Sequence, residues 1–208
     1  MNSALTPWMY SKIKKGDIRS MRKVLQLLSI VVVGIAVALM LISPELVLIF
    51  GSPKYREAVY VIPPVAASVF FIFIYNILSM PQFYYEKTQF LMAASMAAAG
   101  ANVVLNFIFI RLFGYIAAGY TTLACYMLYS VGHYIVSKRI LVNEGIQENL
   151  MSPGFLVACS AFLIGASIIC NLIFPYRILR YAILLASAGL VFWKKELLLK
   201  TMADIRKK

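Results

Sequence analysis

The chain has 208 residues, 62% of them hydrophobic and only 13% charged, and it carries a formal net charge of +12. A soluble domain has roughly 25% charged residues, so this composition excludes an ordinary soluble particle of the same size. The positive charge resembles that of a nucleic-acid binder, but it sits in clusters between apolar stretches, which points to a membrane and away from nucleic acid.

The first 23 residues precede any long apolar run. Met1–Met9 has neither a charged leader nor an apolar core of the length a signal peptide needs. Leu5-Thr6-Pro7-Trp8 reads as the last turn of a preceding helix reaching the interface, where Trp8 and Tyr10 fit an aromatic belt. Lys12, Lys14, Lys15, Arg19, Arg22 and Lys23 make the rest of residues 1–23 a basic, amphipathic linker.

Six apolar stretches follow: Val24–Ser43, Ala58–Ser79, Leu91–Ile110, Tyr115–Ser137, Gly154–Phe174 and Tyr181–Trp193. About 20 residues at 1.5 Å rise cross a hydrocarbon core of ~30 Å, and the first five meet that length. The sixth reaches it with Ile178 and Leu179. The expected organisation is four transmembrane helices over 24–137, a loop over 138–153, two further helices over 154–193 and a basic tail over 194–208. The fold class is therefore all-α, a polytopic bundle of about six spans. With the Lys12–Lys23 segment in the cytoplasm, fifteen of the twenty Lys and Arg fall on the cytoplasmic side. The chain is then multi-pass in the cytoplasmic (inner) membrane with a cytoplasmic C-terminus.

Polar residues inside the spans form stripes. Asn102 and Asn106 share a face of the third span with Ala94 and Ala98. That face either packs against another helix, with the asparagines bonded across the contact, or walls a hydrated cavity. In the fourth span, Thr122, Tyr126, Tyr129, Ser130 and His133 recur at spacings of three and four. Such a row is too polar for lipid and fits water or a polar substrate; tyrosines also stack on sugars. His133 is either a satisfied interfacial histidine or a proton relay. Arg111 and Lys87 lie at opposite membrane surfaces. Arg111 either snorkels or meets an anionic headgroup phosphate through its guanidinium fork. Pro63 and Pro64 fall in the first turns of the second span, as a hinge or as a tolerated N-terminal pair.

Bond-making chemistry finds little support. No span contains Asp or Glu, no Gly-rich phosphate loop or nucleophile motif occurs, and Cys125, Cys159 and Cys170 lack metal-ligand spacing. The expectation is no enzyme, no cofactor and no metal, with the cysteines acting as small hydrophobes.

Several segments combine into a pattern. Ser52-Pro53-Lys54-Tyr55-Arg56-Glu57-Ala58 resembles a G-x-x-Y-x-x-A entry to a helix. Glu86-Lys87-Thr88, then Asn102 and Asn106, then Gly114-Tyr115-Ile116-Ala117-Ala118-Gly119-Tyr120-Thr121-Thr122 resemble a lysine-bearing loop, an Asn-rich face and a tight G-x-x-G-A-A turn. Here Ala117 stands where the second Gly is usual, and Arg111 and Leu112 stand where Pro is frequent. Over about Leu5 to Arg139 the chain resembles the polysaccharide transporter (O-antigen flippase) branch of the multidrug/oligosaccharidyl-lipid/polysaccharide exporters.

That resemblance implies a MATE-like two-lobe transporter working by alternating access, of which this chain is the C-terminal portion. It implies translocation of an undecaprenyl-diphosphate-linked oligosaccharide, an O-antigen, capsule or exopolysaccharide unit. Asn102, Asn106, Thr122, Tyr126, Tyr129 and His133 become candidates for the substrate cavity, and Lys87 and Arg111 for the headgroup phosphate. Expected partners are lipid-linked oligosaccharide, membrane lipids, and the N-terminal lobe or polysaccharide assembly proteins. A full member is about twice as long, so a broken gene or partial sequence is expected. The alternatives are a transport-inactive remnant or accessory subunit, and a drug or cation antiporter of the same superfamily. The last needs an intramembrane carboxylate that these spans lack.

Overall fold

A computed structural model describes residues 2–51 and 53–193; Ser52, from the entry motif, and the basic tail over 194–208 lie outside the described residues. The fold is all-helical, with no strand among the described residues. Its elements are α1 (Asn2–Lys14), α2 (Ile18–Leu41), α3 (Ser43–Phe50), a 3-10 segment (Pro53–Tyr60), α4 (Ile62–Tyr84), α5 (Gln89–Phe113), α6 (Ala117–Asn143), α7 (Pro153–Ile173) and α8 (Arg177–Trp193).

Each of the six apolar stretches is a helix. Four stretches have the length and apolarity to cross a membrane: Ile18–Leu41, Arg56–Tyr84, Gln89–Phe113 and Pro153–Ile173. The expected count of six rested on length first. At 27 residues α6 is the longest helix among the described residues, but its hydroxyls and Lys138–Arg139 dilute its apolar character. The last helix, α8, has 17 residues.

The N-terminal segment departs from its expected form. Leu5-Thr6-Pro7-Trp8 does not end a helix, because α1 continues through Lys14. Residues Lys15–Asp17 make the only turn before α2, so Arg19, Arg22 and Lys23 belong to its first turns and not to a linker. Asp17 caps α2 by accepting from the Ser20 amide at 3.3 Å and also pairs with the buried Lys12. The expected outer loop is largely helical as well. Pro44 starts α3, where the missing N–H costs nothing, and α3 exposes Leu48, Ile49 and Phe50.

α4 is the hub of the bundle and packs against α1, α2, α6 and α7. Phe70, Phe71, Ile74, Ile77 and Leu78 are buried along it. Pro63 and Pro64 fall in its first turn and are buried there, so neither interrupts an intrahelical bond. α6 runs parallel to α4 and close to it. A Cβ on Gly119 would come 2.8 Å from Pro64 Cγ and 3.0 Å from the Val61 carbonyl oxygen. Absence of that Cβ lets the two backbones approach, as small residues do in membrane bundles. Farther along, Ser130 Oγ donates to the Phe71 carbonyl at 3.0 Å. α5 packs along α6 and has no buried residue.

Contacts between turns define two ends. At the basic end Tyr10 meets Tyr84 edge-on at 5.3 Å. Arg22 Nε donates to the Asn149 carbonyl at 2.7 Å, and Arg19 lies 3.6 Å from Glu148. This end gathers the α1–α2, α4–α5 and α6–α7 connections. At the opposite end Tyr60 meets Phe174 at 5.6 Å, and Tyr115 Oη donates to Glu57 at 3.1 Å.

Candidate functional site

α6 presents three faces. Gly119, Ser130 and His133 meet α4. Thr121, Tyr129 and Gly132 meet α5. Between these faces Tyr126 and Tyr129 have Tyr75 of α4 on one side and Ser95 of α5 on the other, and this space between α4 and α5 is the crevice; helical spacing puts Thr122 on the same side of α6.

The middle of the crevice is aromatic. Tyr75 of α4 stacks parallel to Tyr126, with centroids 6.3 Å apart and planes at 6°. It also meets Tyr129 at 4.7 Å. Tyr129 Oη and Ser95 Oγ of α5 are 2.8 Å apart, so one hydroxyl bond ties α6 to α5 along one side of the crevice. Tyr75, Thr122, Tyr126 and Tyr129 are each half-buried.

His133 differs from the rest of its row. It is fully buried, and Gln82 Nε2 lies 2.8 Å from its Nδ1. Tyr129 and Phe90 stand edge-on to the imidazole at 4.5 Å and 5.3 Å. Neither His133 Nε2 nor Gln82 Oε1 has a hydrogen-bond partner. The residue therefore pins α4 to α6 beneath the crevice and presents no ring nitrogen to its opening.

Asn102 and Asn106 are half-buried on α5 and bond to each other at 2.9 Å. Thr121 Oγ1 then donates to Asn106 Oδ1 at 2.6 Å. Asn106 thus bonds across the α5–α6 contact to Thr121, while the Asn102 bond stays within α5. Thr122, one residue on, turns to the crevice. Lys87 and Arg111 are both exposed. They flank α5 at opposite ends, ~36 Å apart for 25 helical residues, so they cannot share one phosphate. The Arg111 guanidinium lies 3.8 Å over the Phe107 ring.

Tyr75 and Ser95 of the crevice, and Gln82 beneath it, escaped the sequence reading. Tyr75 and Gln82 lie seven residues apart, two turns on one face of α4, a signal as legible as the row on α6. Ser95 lies seven before Asn102 and extends the asparagine face by two turns. A further polar cluster joins Arg180 of α8 to Glu45 of α3 at the opposite end. Among the described residues, no group of three or more His, Cys, Asp or Glu could hold a metal ion. Comparisons with protein families, with curated proteins and with solved structures find no match to this chain.

Proposed function

We propose that this chain is the C-terminal part of a flippase that carries an undecaprenyl-diphosphate-linked oligosaccharide across the cytoplasmic membrane. In this reading all six long helices span the bilayer, the basic end and the C-terminus are cytoplasmic, and the activity is transport without bond making. The observation that carries it is the crevice. Three tyrosines and the Ser95 and Thr122 hydroxyls line a half-open slot between helices, and a slot of that composition is poorly matched to lipid. Sugar rings stack their apolar faces on tyrosine and exchange hydrogen bonds with the hydroxyls. A lateral opening leaves the polyprenyl tail in lipid while the sugar is shielded. α6 tolerates its polar row because the N-terminal lobe faces it across the slot and leaves only the lateral edge to lipid, and rocking of one lobe against the other alternates access.

The test is complementation in a strain lacking its own flippase. Co-expression with an N-lobe fragment from a complete transporter restores surface polysaccharide, and Tyr126→Ala with Tyr75→Ala lowers it at unchanged membrane abundance. Restoration by the 208-residue chain alone overturns the half-transporter reading. Full restoration by the double tyrosine variant removes the crevice from the mechanism.

A further inference from the structure

Three buried polar atoms beneath the crevice have no partner in the protein: His133 Nε2, Gln82 Oε1 and Ser137 Oγ. Gln82 and His133 are fully buried, and Ser137 is 1% exposed. The bond between Gln82 and His133 joins two of the three side chains. Ser137 stands one turn beyond His133 on the same face of α6. Leaving a buried polar atom unpaired is costly, so three of them on neighbouring side chains point to a bound group.

Gln82 decides which imidazole nitrogen carries the proton. Its Nε2 lies 3.3 Å from the Leu78 carbonyl oxygen and 2.8 Å from His133 Nδ1. A carbonyl only accepts, so the amino end of the Gln82 amide is the end placed between Leu78 and the ring. Its two protons serve the carbonyl and Nδ1, which makes Nδ1 an acceptor. A neutral imidazole then carries its own proton on Nε2.

Ser137 differs from other buried serines of the bundle. Ser29, Ser68, Ser79 and Ser130 each donate to a carbonyl three or four residues back in their own helix. Ser137 Oγ makes no such bond. Its Cβ and that of His133, one turn apart, are separated by about 5–6 Å, the reach of two hydrogen bonds in series. A ligand enclosed so completely is small, and buried water characteristically bonds polar groups that lack other partners.

We propose that a buried water is bound between α4 and α6 beneath the crevice. It accepts from His133 Nε2–H and donates to Ser137 Oγ, and Gln82 Oε1 is the buried acceptor for its second proton. His133 then serves as a fixed donor and not as a proton relay. The site is independent of what the crevice transports.

The chain contains one histidine, so isotope-labelled histidine reports on this ring alone. The full chain is reconstituted in phospholipid bilayers for solid-state NMR, and Nδ1 is recognised by its bond to Cγ. The wild type shows a protonated Nε2, an unprotonated Nδ1 and polarisation transfer from water to Nε2–H. Ser137→Val puts a methyl in place of the hydroxyl and abolishes the transfer, whereas Ser137→Thr, of the same shape, retains it. Both keep the tautomer, and Gln82→Leu lets both tautomers populate. A protonated Nδ1 in the wild type, alone or together with Nε2, overturns the assignment of the donor. Absence of transfer from water in the wild type overturns the bound water. Transfer that persists in Ser137→Val, or that is lost equally in Ser137→Thr, overturns the bridge to Ser137. A single tautomer in Gln82→Leu overturns the role of Gln82.

Discussion

Arg180 and Glu45 form a two-pronged ion pair, with Nη1–Oε2 and Nη2–Oε1 both at 2.8 Å. Arg180 is 3% exposed and also donates to the Leu41 carbonyl at 2.7 Å, capping the end of α2. Tyr181 Oη adds a bond to Glu45 at 2.9 Å. The partners are 135 positions apart in the chain, and the pair is the main polar tie between α8 and the α2–α3 corner among the described residues. Glu45→Ala leaves the guanidinium buried without its counterion and destabilises the fold by about 2 kcal/mol. That is below the ~3–5 kcal/mol of a fully buried pair, because 24% of the Glu45 side chain is exposed. Replacing both residues with Met removes the uncompensated charge and recovers most of the loss. Thermal unfolding in detergent micelles measures all three; a double variant less stable than Glu45→Ala refutes the account.

The same pair sets a pH dependence. The Arg180 hydrogen bonds hold the Glu45 carboxyl below its ordinary value of 4.5; burial pushes the other way, and the Tyr181 bond adds to the lowering. Because the folded-state value is the lower one, the pair's contribution is complete above pH 4.5 and is lost as pH falls through and below it. Unfolding temperature, followed from pH 7 to 3.5, falls more steeply below pH 4.5 for the wild type than for Glu45→Gln. Parallel curves remove Glu45 from the acid response.

Gln82 and His133 are coupled. Gln82→Leu leaves the buried imidazole without its only hydrogen bond and costs about 1–3 kcal/mol. His133→Phe strands the Gln82 amide similarly, whereas the two changes together leave an apolar contact. A double-mutant cycle gives a coupling of ~1 kcal/mol or more; additive losses show that the bond contributes nothing.

Gly119→Ala separates α4 from α6, since the new methyl meets both a ring carbon and a carbonyl oxygen. The expected cost is about 1–3 kcal/mol, the range for overpacking. Gly34→Ala, which meets nothing within 4 Å, is the neutral control, and equal stability of the two variants contradicts the close packing.

Glu86 ends α4 at φ 56°, a left-handed conformation that costs a non-glycine residue roughly 1–2 kcal/mol. The turn is held by Lys87 N–H donating to the Gln82 carbonyl at 2.8 Å. Glu86→Gly relieves the strain but enlarges the freedom of the unfolded chain, for a net gain of ~0.5 kcal/mol. A loss in unfolding temperature contradicts the strain.

Apolar length and 3.6-residue periodicity made the six long helices legible, with ends within a few residues of the stretches read from the sequence. The row Thr122, Tyr126, Tyr129 and His133 was equally legible, because helical spacing alone puts those residues on one side. Depth was not. His133 is sealed by Phe90 and Gln82, which come from other helices, and spacing within one helix carries no information about its neighbours. Thr121 and Thr122 show the same limit, since one residue of rotation decides which meets Asn106. Glu45 and Arg180 escaped notice because each lies just beyond an apolar stretch, where charge reads as solvated. Their pairing depends on how two distant helix ends converge.

α5 gains its polar partners only from the helix synthesised after it. Asn102 and Asn106 have nowhere to place their remaining bonds until Thr121 arrives, and Ser95 waits for Tyr129 still farther along. α5 therefore stays an incomplete element until α6 has been synthesised, and the two helices complete each other as one hairpin, with Gly114 as its fold line.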